Sequence, residues 1–168
     1  MKNRRAFRER LEATLLKTKE EENEVFLGLM GLDGLKKVND VYGHREGDRY
    51  ISTFSSLLRR VLRPTEIAER IGGDEFAVIF TQCSRQYAQQ TIRQLQQQLK
   101  EASLSLNFIM RVSAGLIAIE SWIETDIDTL LSIADEAMYK QEYRHYRQVR
   151  AVIRERDYKG FCGKMAHF

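Results

Sequence analysis

The stretch that decides the fold is EIAERIGGDEFAVIF, residues 66–80. Two strand-like apolar runs flank Gly72 and Gly73, and a Gly-Gly pair between such runs is typical of a hairpin turn. The stretch therefore predicts two antiparallel strands joined by a glycine-rich turn. Most glycine pairs of this kind mark a turn and nothing more. In a functional site, however, glycines also let phosphates approach the backbone, and Asp74 and Glu75 stand where a divalent cation could bind.

Hydrophobic periodicity predicts the elements on either side of this hairpin. A continuous apolar run before it suits a buried central strand, and Ser84 suits the N-cap of the helix that follows it. The order of elements predicts an α/β sandwich with a mainly antiparallel central sheet flanked by helices. The predicted elements are helix 3–23, strand 24–32, helices 36–43 and 48–63, the hairpin, helix 84–102, strand 107–119, helix 126–144 and edge strand 147–153.

Three of these helices carry apolar residues at intervals of three or four, which predicts that those residues face the core. Pro64 should end the second core-facing helix because proline cannot continue the hydrogen-bonding pattern. The predicted inward residues are Phe7, Leu11 and Leu15, then Ile51, Phe54, Leu58 and Val61, and finally Leu130, Ile133, Ala137 and Met138.

Composition limits the class of protein. The 168 residues include 27 Lys and Arg and 24 Asp and Glu, mixed in sign, which argues against a nucleic-acid binder. The apolar runs are too short to span a bilayer, and no secretory signal is visible. Cys83 and Cys162 lie far apart, which suits a reducing cytoplasmic setting. We expect one domain over residues 1–168, with residues from about 155 to 168 as an added tail.

Two segments that contain candidate functional residues occur together: NDVYGHREGD, residues 39–48, and RIGGDEF, residues 70–76. With LDGLKK, VSAGLIA and IADEAMY in the same order, they make the chain resemble the GGDEF domain of diguanylate cyclases over nearly its whole length. The resemblance implies a fold related to the palm of nucleotide cyclases and polymerases. It also implies a reaction in which two protomers, each holding GTP, form cyclic di-GMP and pyrophosphate.

The resemblance implies specific substrate contacts. Asn39 and Asp48 would bind the guanine edge, Gly72 and Gly73 would make room for the phosphates, and Lys36 would contact a phosphate. Taken without the resemblance, Asn39 and Asp48 could instead cap the two helices they adjoin, and Lys36 could be a solvated helix residue.

The resemblance also implies a cation, Mg²⁺ or Mn²⁺, since carboxylate-held divalent ions neutralise the phosphates and activate the attacking hydroxyl. Asp74 would be a metal ligand, and Glu75 is a candidate for activating the ribose 3′-hydroxyl. Family members usually carry Asp-x-Asp at the end of the first strand, but here the pair is Gly31 and Asp33. Residue 33 returns to the same side about 6–7 Å further along the strand, so Asp33 is a weak substitute. We predict that Asp33 instead caps the following helix.

Two further departures lie elsewhere in the chain. Glu142 and Tyr146 occupy the positions of a lysine and an arginine that bind the triphosphate in the family. A carboxylate beside phosphates is repulsive unless a cation intervenes. Arg63 and Glu66 match an Arg-x-x-Asp site at which many members bind product for feedback inhibition. Pro64 alters the backbone between them, and the alternative is a simple helix terminus.

The sequence leaves two functions open. One is a degenerate GGDEF domain that acts as a guanine-nucleotide-binding or regulatory module in cyclic di-GMP signalling. The other is an active diguanylate cyclase that has rearranged its metal site. The intact hairpin motif favours the enzyme, whereas Gly31, Glu142 and Tyr146 favour the degenerate interpretation, which we prefer. The implied partners are GTP or cyclic di-GMP, a second copy of the chain, and an upstream sensor domain.

Overall fold

The computed structural model describes residues 2–21, 24–119, 126–141 and 143. The described residues form four strands, five α-helices and a short 3₁₀ turn, Ser103–Ser105. The strands are β1 (Val25–Leu32), β2 (Ile67–Arg70), β3 (Glu75–Thr81) and β4 (Val112–Ile119). The helices are α1 (Lys2–Glu21), α2 (Leu35–Tyr42), α3 (His44–Val61), α4 (Arg85–Ala102) and α5 (127–141). All strand pairs are antiparallel, in the order β2-β3-β1-β4. The predicted α/β class with its antiparallel sheet is confirmed.

The central strand β1 is buried on both faces. Successive side chains of a strand point to opposite sides, so Phe26 and Met30 pack beneath α2, α3 and α4. Val25, Leu27 and Leu29 pack on the other face, against α1 and α5. This double burial explains why β1 reads as a continuous apolar run instead of an alternating one.

The strand predicted over 107–119 is shorter in the structure and begins only at Val112. The backbone N–H groups before it are bonded to side chains. Met110 N–H donates to Ser103 Oγ at 2.8 Å, and Arg111 N–H donates to Tyr50 Oη at 2.6 Å. These bonds hold the preceding residues out of the sheet. The predicted turn at Gly43 forms, but α3 begins directly after it at His44, four residues before its predicted start.

The prediction that Ile133 faces the core is wrong, because its side chain is 47% exposed. Helix α5 instead rests on β4 at Gly115. A Cβ atom at Gly115 would lie 2.1 Å from the Ala134 carbonyl oxygen and 2.5 Å from the Met138 nitrogen. The buried stripe therefore runs through Leu130 and Ala134, and Ile133 lies about a quarter turn away.

Other predictions are confirmed or fall outside the described residues. Ser84 caps α4, with its side chain accepting from Tyr87 N–H at 3.2 Å. Phe7 and Leu11 are buried as expected. The predicted strand 147–153 and the tail lie beyond the described part of the chain. No helix in that described part is long and apolar enough to cross a membrane.

Replacing Gly115 by alanine should destabilise the domain. The added methyl group would meet helix backbone, which cannot rotate away, so we expect the unfolding free energy to fall by about 1–3 kcal/mol. Urea denaturation measures this loss. Gly73→Ala is the matched control, since nothing lies within 4 Å of its added Cβ. Equal stability of the two variants would contradict the close packing of α5 on β4.

Candidate functional site

The strand register places three positions side by side at the end of β1. Gly31 is paired with Glu75 on β3 and with Ser113 on β4. Directly paired residues project to the same face of a sheet, here the face covered by α1 and α5. A carboxylate and a hydroxyl therefore flank a position that has no side chain.

Met138 of α5 covers this position. Its Sδ lies 3.3 Å, and its Cε 3.6 Å, from where a Cβ of Gly31 would stand. Mg²⁺ prefers oxygen ligands, whereas a thioether sulfur is a soft ligand. The atom facing Gly31 is thus poorly suited to that ion. Methionine has a flexible side chain, however, so a small displacement would open the space.

The prediction that Asp33 caps α2 is wrong. The N-cap residue is Gly34, whose φ of 73° is left-handed, and no side chain bonds the helix N-terminus. Asp33 Oδ2 instead accepts a hydrogen bond from Ser113 Oγ at 3.1 Å. The left-handed turn at Gly34 separates residue 33 from the helix, so its carboxylate remains with the strands.

The predicted hairpin forms, but its glycines do not adopt positive φ values. The N–H groups of Ile71 and Gly72 both donate to the Glu75 carbonyl oxygen, at 2.9 and 3.2 Å. Gly72 lies against the Glu75 side chain, since a Cβ there would lie 2.5 Å from Glu75 Oε2, and the carboxylate would have to move to admit it. Nothing lies within 4 Å of the corresponding point at Gly73. The turn therefore exposes open backbone at Gly73.

Asp74 and Lys36 are both exposed. Asp74 lies at the tip of the hairpin, and its carbonyl oxygen accepts from Leu32 N–H at 3.0 Å, which ties the turn to the end of β1. Lys36 lies in the first turn of α2, which starts just after β1. Glu75, not Asp74, is the motif carboxylate that the register places beside Gly31.

Asn39 and Asp48 come from adjacent helices joined at Gly43, whose φ is 88°. A Cβ at Gly47 would lie 1.8 Å from Asn39 Oδ1, so the asparagine amide packs directly on the Gly47 backbone. Asp48 is the next residue and is exposed. The turn thus brings the Asn39 amide against the residue that adjoins Asp48.

Arg63 and Glu66 bind each other. The side chain of Glu66 has no exposed surface and accepts from the Arg63 backbone N–H at 2.8 Å and from its Nε at 3.1 Å. Arg63 Nη2 also donates to the Thr81 carbonyl at 3.2 Å, and the guanidinium lies 4.1 Å from the centre of the Tyr87 ring. A ligand would have to compete with this ion pair, in which the Glu66 carboxylate is buried and the Arg63 side chain is 40% exposed.

The carboxylates near the end of β1 indicate how the implied divalent cation could be held. No cluster of three or more His, Cys, Asp or Glu side chains suited to holding a metal occurs among the described residues. Mg²⁺ is commonly held by one or two carboxylates together with substrate phosphates and water. Glu75, with Asp33 further along the same face, fits that arrangement and not an all-protein cage.

The sequence predicted no functional role for several residues around this site. A cleft of about 370 Å³ opens beside Glu75, between α1, α5 and the sheet, and Arg4, Asp135 and Met138 contribute to its walls. Ser113, the partner of Asp33, was also missed. Met138 was predicted only as a core-facing residue of the last helix, and Ser113 is recognisable only from the strand register.

Solved structures share this architecture. The GGDEF domain of DgcB from Caulobacter crescentus, solved in complex with c-di-GMP, matches with a TM-score of 0.77 and 26% identity over 84% of this chain and 85% of that chain. The active GGEEF domain of a diguanylate cyclase from Vibrio cholerae matches with a TM-score of 0.77 and 23% identity over 84% of this chain and 91% of that chain. The fold is that of GGDEF domains.

The family model "Diguanylate cyclase, GGDEF domain" matches residues 1–148, and the chain belongs to this family. The uncharacterized protein YhcK of Bacillus subtilis is 31% identical over 82% of this chain and 40% of its own length. Diguanylate cyclase DgcP of Pseudomonas aeruginosa is 29% identical over 82% of this chain and 21% of its own length. The chain thus spans less than half the length of these relatives.

The contact between Asn39 and Gly47 predicts that the effect of Gly47→Ala on stability depends on whether Asn39 is present. Within a helix, Gly→Ala is normally favourable by about 0.8–1 kcal/mol. In this chain Gly47→Ala should lose that gain, because the new methyl group displaces the Asn39 amide. In an Asn39→Ala background the same change should stabilise. Urea denaturation of the four chains gives the coupling energy, which we expect to be about 0.5–3 kcal/mol; additive effects would rule the contact out.

Proposed function

We propose that this chain is a GGDEF domain that binds GTP and forms cyclic di-GMP slowly or not at all, acting mainly as a regulatory module in cyclic di-GMP signalling. The observation that carries the proposal is Gly31. This position is paired with Glu75, has no carboxylate of its own and is covered by the Met138 thioether. The cation implied by the family would therefore have one protein ligand fewer.

Asn39 and Asp48 support guanine recognition. An amide offers both a donor and an acceptor, and a carboxylate accepts from the N–H groups of the guanine edge. Adenine presents a different pattern, with an amino group where guanine has a carbonyl oxygen. The packing of Asn39 on Gly47 restricts the orientation of the amide and so favours one pattern of hydrogen bonds.

The hairpin supports a phosphate site. Open space at Gly73 leaves room for a phosphate, and Lys36 offers a cation on the neighbouring helix. Mg²⁺ or Mn²⁺, when bound, would neutralise phosphate charge and activate the 3′-hydroxyl. Glu75 would hold the ion, with Asp33 beyond it and Asp74 at the exposed tip as further acceptors. This set is adequate for one loosely held ion with substrate oxygens and water as the other ligands.

The second candidate function is an active cyclase, and the complete hairpin with Glu75 beside Gly31 favours it. Condensing two GTP molecules would need a second copy of the chain facing the first. Glu142 and Tyr146, which lie outside the described residues, oppose this alternative by removing two cations from the family's phosphate-binding set. In either case, cyclic di-GMP is a candidate ligand, and an upstream sensor domain is a candidate partner.

Base selectivity is the first test. Isothermal titration calorimetry should show binding of GTP but weaker binding of ATP. Asp48→Ala should weaken GTP binding by about 1–3 kcal/mol, because it leaves guanine donors unpaired. Asp40→Ala, which removes an exposed carboxylate on α2, is the control and should have little effect. Equal affinities for GTP and ATP would refute the assignment of Asn39 and Asp48.

Restoring the missing carboxylate is the second test. Gly31→Asp combined with Glu142→Lys should raise Mg²⁺-dependent cyclic di-GMP formation by about tenfold or more, equivalent to about 1.4 kcal/mol at the transition state. Gly31→Asn in the same background is the control of equal size without the charge. Adding Glu75→Gln should abolish the gain. Chromatography of the products measures the rate of cyclic di-GMP formation. Robust turnover by the unmodified chain would refute the degenerate function in favour of the active enzyme.

A further inference from the structure

Arg70, the last residue of β2, folds forward over the turn that follows it. Its Nε donates to the Gly72 carbonyl oxygen at 3.1 Å, and its Nη2 donates to the Gly73 carbonyl oxygen at 2.5 Å. One guanidinium thus binds two successive carbonyl groups. Its planar, forked arrangement of donors suits such a double contact, which a lysine ammonium cannot reproduce.

These two bonds determine the direction of two N–H groups. A peptide unit is planar and trans, so its N–H points away from its C=O. Fixing the carbonyls of Gly72 and Gly73 therefore directs the N–H groups of Gly73 and Asp74 away from Arg70. In the part of the chain that the structure describes, neither N–H has a hydrogen-bond acceptor. A Cβ at Gly73 would also meet only open space.

The turn does not need Arg70 in order to close. Its base is held by the Ile71 and Gly72 N–H groups, which bond the Glu75 carbonyl oxygen. Arg70 is exposed, so its removal leaves no cavity in the core. The contribution of Arg70 is therefore confined to the two peptide units at the tip, where glycine otherwise allows many backbone conformations.

We propose that Arg70 is a positioning residue that aligns the Gly73 and Asp74 N–H groups to bind the phosphates of the nucleotide. The inference rests on the proposed function, since it takes the triphosphate of GTP to lie against this turn. Arg70 acts through the backbone, without itself contacting the substrate. Two N–H groups held in place before binding avoid the entropy loss that ordering a glycine turn would otherwise impose.

The binding test compares ligands with and without phosphates. Arg70→Gln should weaken GTP binding by about tenfold in calorimetry and leave guanosine binding unchanged. Arg70→Lys keeps the charge but should recover only part of the affinity. Arg93→Gln removes an equally exposed charge from α4 and should have no effect beyond a small, salt-sensitive change. Full recovery with lysine, or an equal loss from Arg93→Gln, would show a simple charge effect and overturn the proposal.

A second measurement needs no nucleotide. In NMR relaxation experiments on the free protein, Arg70→Gln should increase the motion of the Gly73 and Asp74 amides and leave Ile71 unchanged. If the motion of these two amides were unchanged, the positioning role of Arg70 would be overturned even if GTP binding weakened. If the unmodified chain binds no GTP, the proposed function and the phosphate role both fail, whereas the amide data still decide whether Arg70 orders the turn.

Discussion

The pairing of β1 with its two neighbours is the constraint on which the rest of this domain depends. Its register with β3 and β4 sets Gly31 between Glu75 and Ser113, and it also sends Phe26 and Leu27 into opposite cores. A slip of one residue would exchange the two faces of the strand. Because both faces are buried, such a slip would be costly, and the site inherits its geometry from the packing of the core.

A buried tyrosine holds the backbone at the end of this strand in place through hydrogen bonds. Tyr50 on α3 donates its hydroxyl proton to the Arg111 carbonyl, accepts from the Arg111 N–H, and lies within 3.2 Å of the Asp33 carbonyl. Burial raises the pKa of Tyr50, so the hydroxyl stays protonated. One side chain thus connects the helix that carries Asp48 with the strand end that carries Asp33. This contact joins the proposed base-binding half of the site to the proposed phosphate-facing half.

Local patterns predicted much of the fold because their physical causes are local. The hairpin of residues 66–80, the buried strand β1 and the Ser84 cap follow from turn chemistry, apolar runs and capping preference. The burial of Ile133 was wrongly predicted because periodicity shows that a helix has an apolar side but does not specify the stripe that touches the sheet. That choice depends on the absence of a side chain at Gly115.

The sequence by itself determined the family, the antiparallel class and the absence of a carboxylate at position 31. These are matters of residue identity and spacing. Only the tertiary structure decided that Asp33 bonds Ser113 instead of capping α2, that Met138 covers Gly31, and that Glu66 is buried against Arg63. Each of these contacts depends on strand register, on a left-handed glycine or on helix packing. The identity of a side chain alone does not determine which distant residue it meets.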